Sequence, residues 1–287
     1  MPLPDPDLIR AVLLFATPLL VAAIGELIVE RAGIVNIGVE GMMLMGAAAA
    51  WMANASAGPS LGVMAGVAGG ACLAGLFAGV VLLAGADQIV TGTGINLLSL
   101  GLTGLIYRAA QGRIAQGGLT MLEPMWMAAA ATVLVATVWV FLVRTRAGLE
   151  LASIGESPHA ADTAGVPVNL RKLYAVLFGG ACAGLAGAYL STMRVGGFTE
   201  NMTEGQGFLA LAIVILGRWH PVGVLAGGLL FGLVRAYADR LIVGGRYPAD
   251  VAGLFGILPY AVSLVALAGV AGQPRAPAAL GRPFVRG

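Results

Sequence analysis

Four short polar islands interrupt a largely apolar chain, and they hold half of its fourteen carboxylates. The first is Glu30-Arg-Ala-Gly-Ile-Val-Asn-Ile-Gly-Val-Glu-Gly41, with Glu26 one helical turn earlier. Carboxylates, a guanidinium and the Asn36 amide are crowded there among glycines. A charge at bilayer depth costs at least about 2.5–3.5 kcal/mol, so it is normally paired or faces a wet cavity. Glu26 or Glu40 could therefore couple an ion gradient to transport, or the island could be a polar hinge beside a solute path. An interfacial loop with snorkelling side chains is the plainer alternative. The second island, Asp87-Gln-Ile-Val-Thr-Gly-Thr-Gly-Ile-Asn96, sets Thr91, Thr93 and Asn96 around glycines, which suits an irregular helix start or simple capping. The third, Phe198-Thr-Glu-Asn-Met-Thr-Glu-Gly-Gln-Gly207, precedes a short apolar segment and could equally be an exposed loop. The fourth, Gly155-Glu-Ser-Pro-His-Ala-Ala-Asp-Thr-Ala-Gly165, differs in kind. Ser157-Pro158 followed by Asp162 predicts a helix start, with the acid near the positive dipole end. A short amphipathic helix ending at Gly165 has no membrane task of its own; it suits a handle held by a cytoplasmic partner.

Several chemistries are excluded. The one lysine, Lys172, follows no phosphate-cradling glycine loop, and His159 and His220 lie outside any metal-ligand spacing. No nucleophile elbow or zinc-protease helix motif occurs, so no catalytic residue, metal or cofactor is expected. Cys72 and Cys182 lie in apolar runs and suit packing. With net charge +2, nothing resembles a nucleic-acid footprint. Any driving energy must come from another subunit or an ion gradient.

These islands need positioning, and the apolar runs between them can supply it. The 46 residues between Glu40 and Asp87 carry no charge, which suits two crossings of about 20 residues each. At 59% hydrophobic and 10% charged, with mean hydropathy +0.91, the chain is predicted to be an all-α polytopic bundle of about eight to ten membrane helices in one domain, 1–287. Helices are expected near 8–29, 36–53, 60–85, 88–108, 124–143, 170–193, 207–218, 221–241 and 251–271. The 207–218 segment is short enough for a half-helix or re-entrant element. The first run follows Pro-Asp-Pro-Asp instead of a basic stretch, so it is expected to stay in the protein. The pairs Gly62/Gly66, Gly75/Gly79, Gly180/Gly184 and Gly228/Gly232 suit close helix contacts. Arg144, Arg146, Arg171 and Lys172 in the loop from Arg144 to Lys172, and Arg275, Arg282 and Arg286 in the tail, place both in the cytoplasm. Four crossings then separate them, and the N-terminus falls outside. Arg108, Arg113, Arg240 and Arg246 run against the rule. The glycine-rich breaks 33–46 and 196–217 suit a two-fold repeat, or coincidence.

Glu30–Gly41, Gly92-Thr-Gly-Ile-Asn-Leu-Leu98, Gly155–Gly165, and Gly205-Gln-Gly-Phe-Leu-Ala-Leu-Ala212 followed by Gly217-Arg-Trp-His-Pro221 occur in this order. Together they resemble the inner-membrane permease subunits of bacterial ABC importers for branched-chain amino acids, ribose and simple sugars. Among these, the wording of residues 30–41 is most similar to the nucleoside permeases. The resemblance implies a larger-bundle importer of two permeases, two ATP-binding subunits and an extracytoplasmic solute-binding protein, with a longer permease as heterodimeric partner. It also implies that Gly155, Glu156, Ala160, Ala161 and Gly165 belong to a coupling helix set in a groove of the ATPase, although the spacing departs from the Glu-Ala-Ala loop of other importers. Asn36, Glu40, Thr93, Asn96, Phe198 and Thr203 are the expected pathway residues. The solute implied is a nucleoside; a sugar, a branched-chain amino acid, or an ion-coupled carrier working alone are the alternatives.

Overall fold

The apolar runs fold as helices that begin where proline can sit without losing a hydrogen bond. Pro59, Pro124 and Pro158 each occupy a first turn, where the missing N–H would have had no partner inside the helix. The computed structural model describes residues 6–110, 112, 114, 119–243, 254–269 and 276–284, and among these every regular element is helical. The order is α1 (Pro6–Arg31), α2 (Val39–Ala57), α3 (Pro59–Ala78, extended by a π-turn Gly79–Leu83), α4 (Gln88–Ala110), α5 (Pro124–Arg144), α6 (Arg146–Glu156) and α7 (Pro158–Thr163). There follow α8 (Val168–Tyr189, extended by a π-turn Leu190–Val195), α9 (Gln206–Leu216), α10 (Pro221–Val243) and, after a 3₁₀ turn, α11 (Leu258–Gly269). Six of these, α1, α3, α4, α5, α8 and α10, are long and apolar enough to cross a membrane, and α9 and the last helix are shorter apolar segments. Of the expected helix 251–271, residues 251–253 and 270–271 lie outside the described residues, as do Arg113, Arg246, Arg275 and Arg286.

The expectation for residues 144–170 is corrected. The 144–170 stretch holds two helices where the sequence suggested a loop with one. The periodic signal was present: Gly148, Leu151, Ile154 and Gly155 recur at helical spacing and form the buried face of α6, while the Thr145 hydroxyl accepts from the Gly148 N–H and caps it.

The centre of the bundle is built on absent side chains. α8 packs on α1, α2 and α3, and α2 lies between α3, α4 and α8. A Cβ on Gly66 would come within 2.8 Å of the Gly46 carbonyl oxygen, and one on Gly70 within 2.6 Å of Gly184 Cα. At Gly187 it would meet the Ala47 nitrogen at 2.8 Å. Each obstacle is backbone, which cannot rotate away. Without a hydrophobic driving force between helices in lipid, such close approach supplies the dispersion contacts that hold them. Gly232 serves α10 against α1 in the same way, with the Val12 carbonyl oxygen at 2.7 Å, while at Gly228 the obstacle is the Leu20 side chain, with Cγ at 2.6 Å. The Gly75/Gly79 pair does not: only Leu177 approaches Gly75, at 3.6 Å, and nothing lies within 4 Å at Gly79. Gly184→Val should therefore destabilise the bundle by about 3 kcal/mol or more. Gly75→Ala should move stability by less than about 1 kcal/mol, in the favourable direction. Thermal unfolding in detergent measures both, and equal melting of the two variants would refute the close-packing account.

Long-range contacts sort the connections to two ends. At one end, the tail returns to α6: the Ala279 N–H donates to the Gly155 carbonyl (2.8 Å) and the Gly281 N–H to that of Gly33 (3.2 Å). Arg31 reaches the Trp219 carbonyl at this same end. At the other end, the Asn54 amide donates to the Thr120 carbonyl (3.1 Å), Arg10 pairs with Glu123 (3.4 Å), and the Leu122 N–H meets the Thr192 carbonyl (3.3 Å). The 144–170 segment and the tail thus share an end, as an even number of crossings between them requires. Arg108, anomalous by the charge rule, lies at the opposite end and pairs with Glu200 at 2.9 Å. This contact holds the Glu200 carboxyl below the usual carboxylate range, so the pair persists above that range and is lost on acidification.

Candidate translocation and coupling sites

Three of the four polar islands converge on one break in the bundle. Between α1 and α2 the backbone leaves the helix at residues 32–38, and exposed peptide groups are costly in a membrane interior. Side chains from elsewhere satisfy them. Gln88 Oε1 accepts from the Val35 N–H (2.8 Å), and Glu26 accepts from both the Asn36 N–H and its Nδ2 (3.2 Å each). Asn96 spans the gap, accepting from the Gly41 N–H (2.8 Å) and donating to the Ile37 carbonyl (2.9 Å). Gly92 allows α4 this close, since a Cβ there would meet the Gly38 nitrogen at 2.8 Å.

The first island also holds the half-helix α9 at both ends. Eleven residues at about 1.5 Å each make it about 16 Å long, roughly half a hydrocarbon core. At its N-terminus the buried Glu40 carboxylate accepts from the Thr203 hydroxyl (2.5 Å) and the Gly205 N–H (2.8 Å) on Oε1, and from the Gly207 N–H (2.6 Å) on Oε2. A carboxylate placed on the free N–H groups and positive dipole end of a helix is the strongest cap available. At the other end Arg218 and Trp219 both take left-handed backbone (φ 54°). Arg31 donates to the Trp219 carbonyl through Nε (2.9 Å) and Nη2 (2.6 Å), and Trp219 Nε1 donates to Glu30. Glu30 and Glu40, ten residues apart, thus fix the two ends of one half-helix.

The expected pathway residues are not alike in surroundings. Asn36, Glu40, Phe198 and Thr203 are buried. Phe198 stacks on Trp51 (5.8 Å between ring centres) and tilts against Tyr107 (5.8 Å), forming an aromatic cluster at the end opposite the tail. Asn96 is half-buried, and Thr93 is exposed on α4, its hydroxyl returned to the Ile89 carbonyl at 2.9 Å.

Sequence reasoning passed over Arg194 and Arg235. Arg194 stacks on the Phe15 ring at 4.0 Å, and Arg235 Nη2 lies 3.5 Å from Glu204 Oε2. Their signal was available, since each is an arginine inside or at the end of a long apolar run.

The fourth island protrudes at the tail's end as α7. The Ser157 hydroxyl accepts from the Ala160 N–H and caps it; Gly165, at φ +86°, takes the backbone out. The five expected coupling residues divide into two groups. Gly155 and Ala161 face inward, Ala161 packing with Ile154, Val168 and, at the edge, Val166 and Phe284. Glu156, Ala160 and Gly165 are exposed. Phe284 braces this element from the tail, 5.0 Å from the His159 ring and 6.0 Å from Lys172 Nζ. The exposed residues along this element, among them Glu156, His159, Ala160, Thr163 and Gly165, include no large apolar side chain.

This architecture has relatives. Residues 8–267 match the family model described as branched-chain amino acid transport system / permease component. The guanosine ABC transporter permease protein NupQ of Bacillus subtilis is 34% identical, with 98% of this chain and 97% of that protein covered. The nucleoside ABC transporter permease protein NupC of Lactococcus lactis is 32% identical, covering 97% and 96%. A putative glucose ABC transporter permease protein of Haloferax volcanii, TsgC13, is 39% identical over 81% and 77%. No solved structure matches the chain. The family match across most of the chain and the end-to-end similarity to NupQ and NupC show that this multi-pass membrane protein belongs to that family of ABC transporter permease components.

Proposed function

We propose that the chain forms half of the solute pathway of an ATP-driven nucleoside importer in the inner membrane. The observation that carries the solute is the near full-length similarity to permeases named for guanosine and nucleosides. The tail's end, rich in Arg144, Arg146, Arg171 and Lys172, faces the cytoplasm. There α7 is the element pressed by an ATP-binding subunit. Two such subunits, a second and longer permease, and an extracytoplasmic binding protein complete the assembly. This chain is its non-catalytic conduit: the motor lies in the ATPase, and α7 carries its motion into the bundle. The pathway runs beside the convergence of the three islands, where Asn36, Glu40, Asn96 and Thr203 hold the irregular backbone. Thr93 faces the lumen, and Phe198 belongs to the outer closure.

Glucose is the second reading, favoured by the similarity to TsgC13. Uptake of labelled guanosine by vesicles carrying the whole transporter separates them. Unlabelled nucleosides should compete at least tenfold better than glucose, and uptake should cease without ATP. Stronger competition by glucose would replace the nucleoside with a sugar. Transport by this chain alone under an ion gradient would replace the importer with a carrier.

A further inference from the structure

The strongest unexplained chemistry lies just beyond the N-terminus of α9. A cavity of about 200 Å³ is bounded by Arg194, Thr199, Glu204, Gln206 and Arg235, and all of these except Thr199 also border a separate, water-sized pocket closed by Phe15 and Tyr260. Two guanidinium groups, one at the end of α8 and one inside α10, meet a carboxylate of the third polar island, and Arg194 and Arg235 are both half-buried. Charged groups at such depth carry a cost that packing alone does not require. The backbone beside them is irregular as well. Gly196, Asn201, Glu204 and Gly205 all have positive φ, between 48° and 81°. Irregular backbone within a membrane must be buried in protein or line a wet cavity, and Thr199, Asn201 and Glu204 are exposed.

The donor and acceptor set is specific. Stacked on Phe15, the Arg194 guanidinium keeps its in-plane N–H donors pointing away from the ring. Arg235 is held loosely to Glu204, at 3.5 Å, and each guanidinium has five donors. A carboxylate can accept from two adjacent hydroxyls while a guanidinium fork donates to their oxygens. Leu190, Val195 and Met202 supply apolar walls of the larger cavity for a ring. We propose that Arg194, Glu204, Gln206 and Arg235 form a permease subsite for a neutral ring bearing vicinal hydroxyls, which in a nucleoside is the ribose. The proposal rests on the solute reading above only in naming ribose as that ring. Recognition of the hydroxyls leaves the base free and lets one conduit pass several nucleosides.

The test is protection of the Thr199→Cys variant from a small polar thiol reagent, in right-side-out vesicles carrying the assembled transporter and no binding protein. A Cys72→Ser background removes the exposed native thiol. Guanosine and ribose should each slow labelling at least threefold, 2′,3′-dideoxyguanosine should not, and Glu204→Gln should abolish the protection. Equal protection by the dideoxy compound, protection by inorganic phosphate in place of the polyols, or a cysteine that never labels would each overturn the subsite. Guanosine import with an unprotected cysteine would also overturn it while leaving the nucleoside reading intact. Protection by glucose but not guanosine would keep the subsite and end that reading.

Discussion

Glu40→Ala should remove most of the protein from the membrane instead of merely slowing transport. Its carboxylate is buried and accepts from three donors on the far side of the break, Thr203 Oγ1 and the Gly205 and Gly207 N–H groups. A hydrogen bond to a charged group contributes about 1.5–3 kcal/mol, and each buried donor left unmade costs about 1–3 kcal/mol. Losing three together costs about 5 kcal/mol, comparable with the whole stability of many domains. Glu40→Gln is not a gentle substitute, because the amide replaces one acceptor oxygen with an NH₂ that faces an N–H donor. Gly207→Ala should fail for the reciprocal reason: its Cβ would sit 2.6 Å from both Glu40 Cα and the Glu40 nitrogen. Size-exclusion profiles of fluorescently tagged protein should show at least a tenfold loss of the monodisperse peak for Glu40→Ala and Gly207→Ala. Glu40→Gln should fall between these and the parent. Wild-type profiles with wild-type uptake would show that the carboxylate is not the cap of α9.

That prediction marks where the sequence was legible and where it was not. Local chemistry was readable. Ser157-Pro158 and Gly165 bound α7, and α9 is as short as its charge-free length suggested. The islands at 30–41, 87–96 and 198–207 were each visible as breaks, because polar residues in a greasy chain are conspicuous at any spacing. What they do for one another was not. Asn96 meets Gly41 across 55 residues and Glu40 meets Gly207 across 167. No periodicity encodes such pairings, and a carboxylate that caps a distant half-helix has the same local surroundings as one that binds an ion. Glycine pairs illustrate the same limit. Gly180/Gly184 and Gly75/Gly79 look alike in sequence, but only the first faces another backbone. The α6 stripe is faint for a different reason: two of its four buried residues, Gly148 and Gly155, are glycines, so only Leu151 and Ile154 carry an apolar signal between the charged ends Arg146 and Glu156.

The outward ridge of α7 should be the place where uptake can be abolished without harming the fold. Ala160 and Gly165 are exposed, and a Cβ on Gly165 would meet nothing within 4 Å. Ala160→Glu, Glu156→Lys and Gly165→Asp each change the charge or bulk of the surface that, on the proposed coupling role, enters a groove of the ATP-binding subunit. Gly165→Asp also carries about 1–2 kcal/mol of left-handed backbone strain, confined to the end of a helix already anchored by Ala161 and Phe284. Each should cut ATP-driven uptake at least tenfold and abolish co-purification of the ATP-binding subunit, with membrane abundance and melting temperature close to those of the parent. Ala161→Glu supplies the contrast. It buries an unpaired carboxylate beside Ile154 and Val168, so protein amount should fall together with uptake. The separation matters because a lever must be rigid to transmit motion: the inward residues hold α7 to α6, α8 and the tail, and the outward ones present it. If the ridge variants transported normally, the ATPase would have to engage another surface. If they vanished from the membrane as Ala161→Glu should, α7 would be a structural plug and the handle would lie elsewhere.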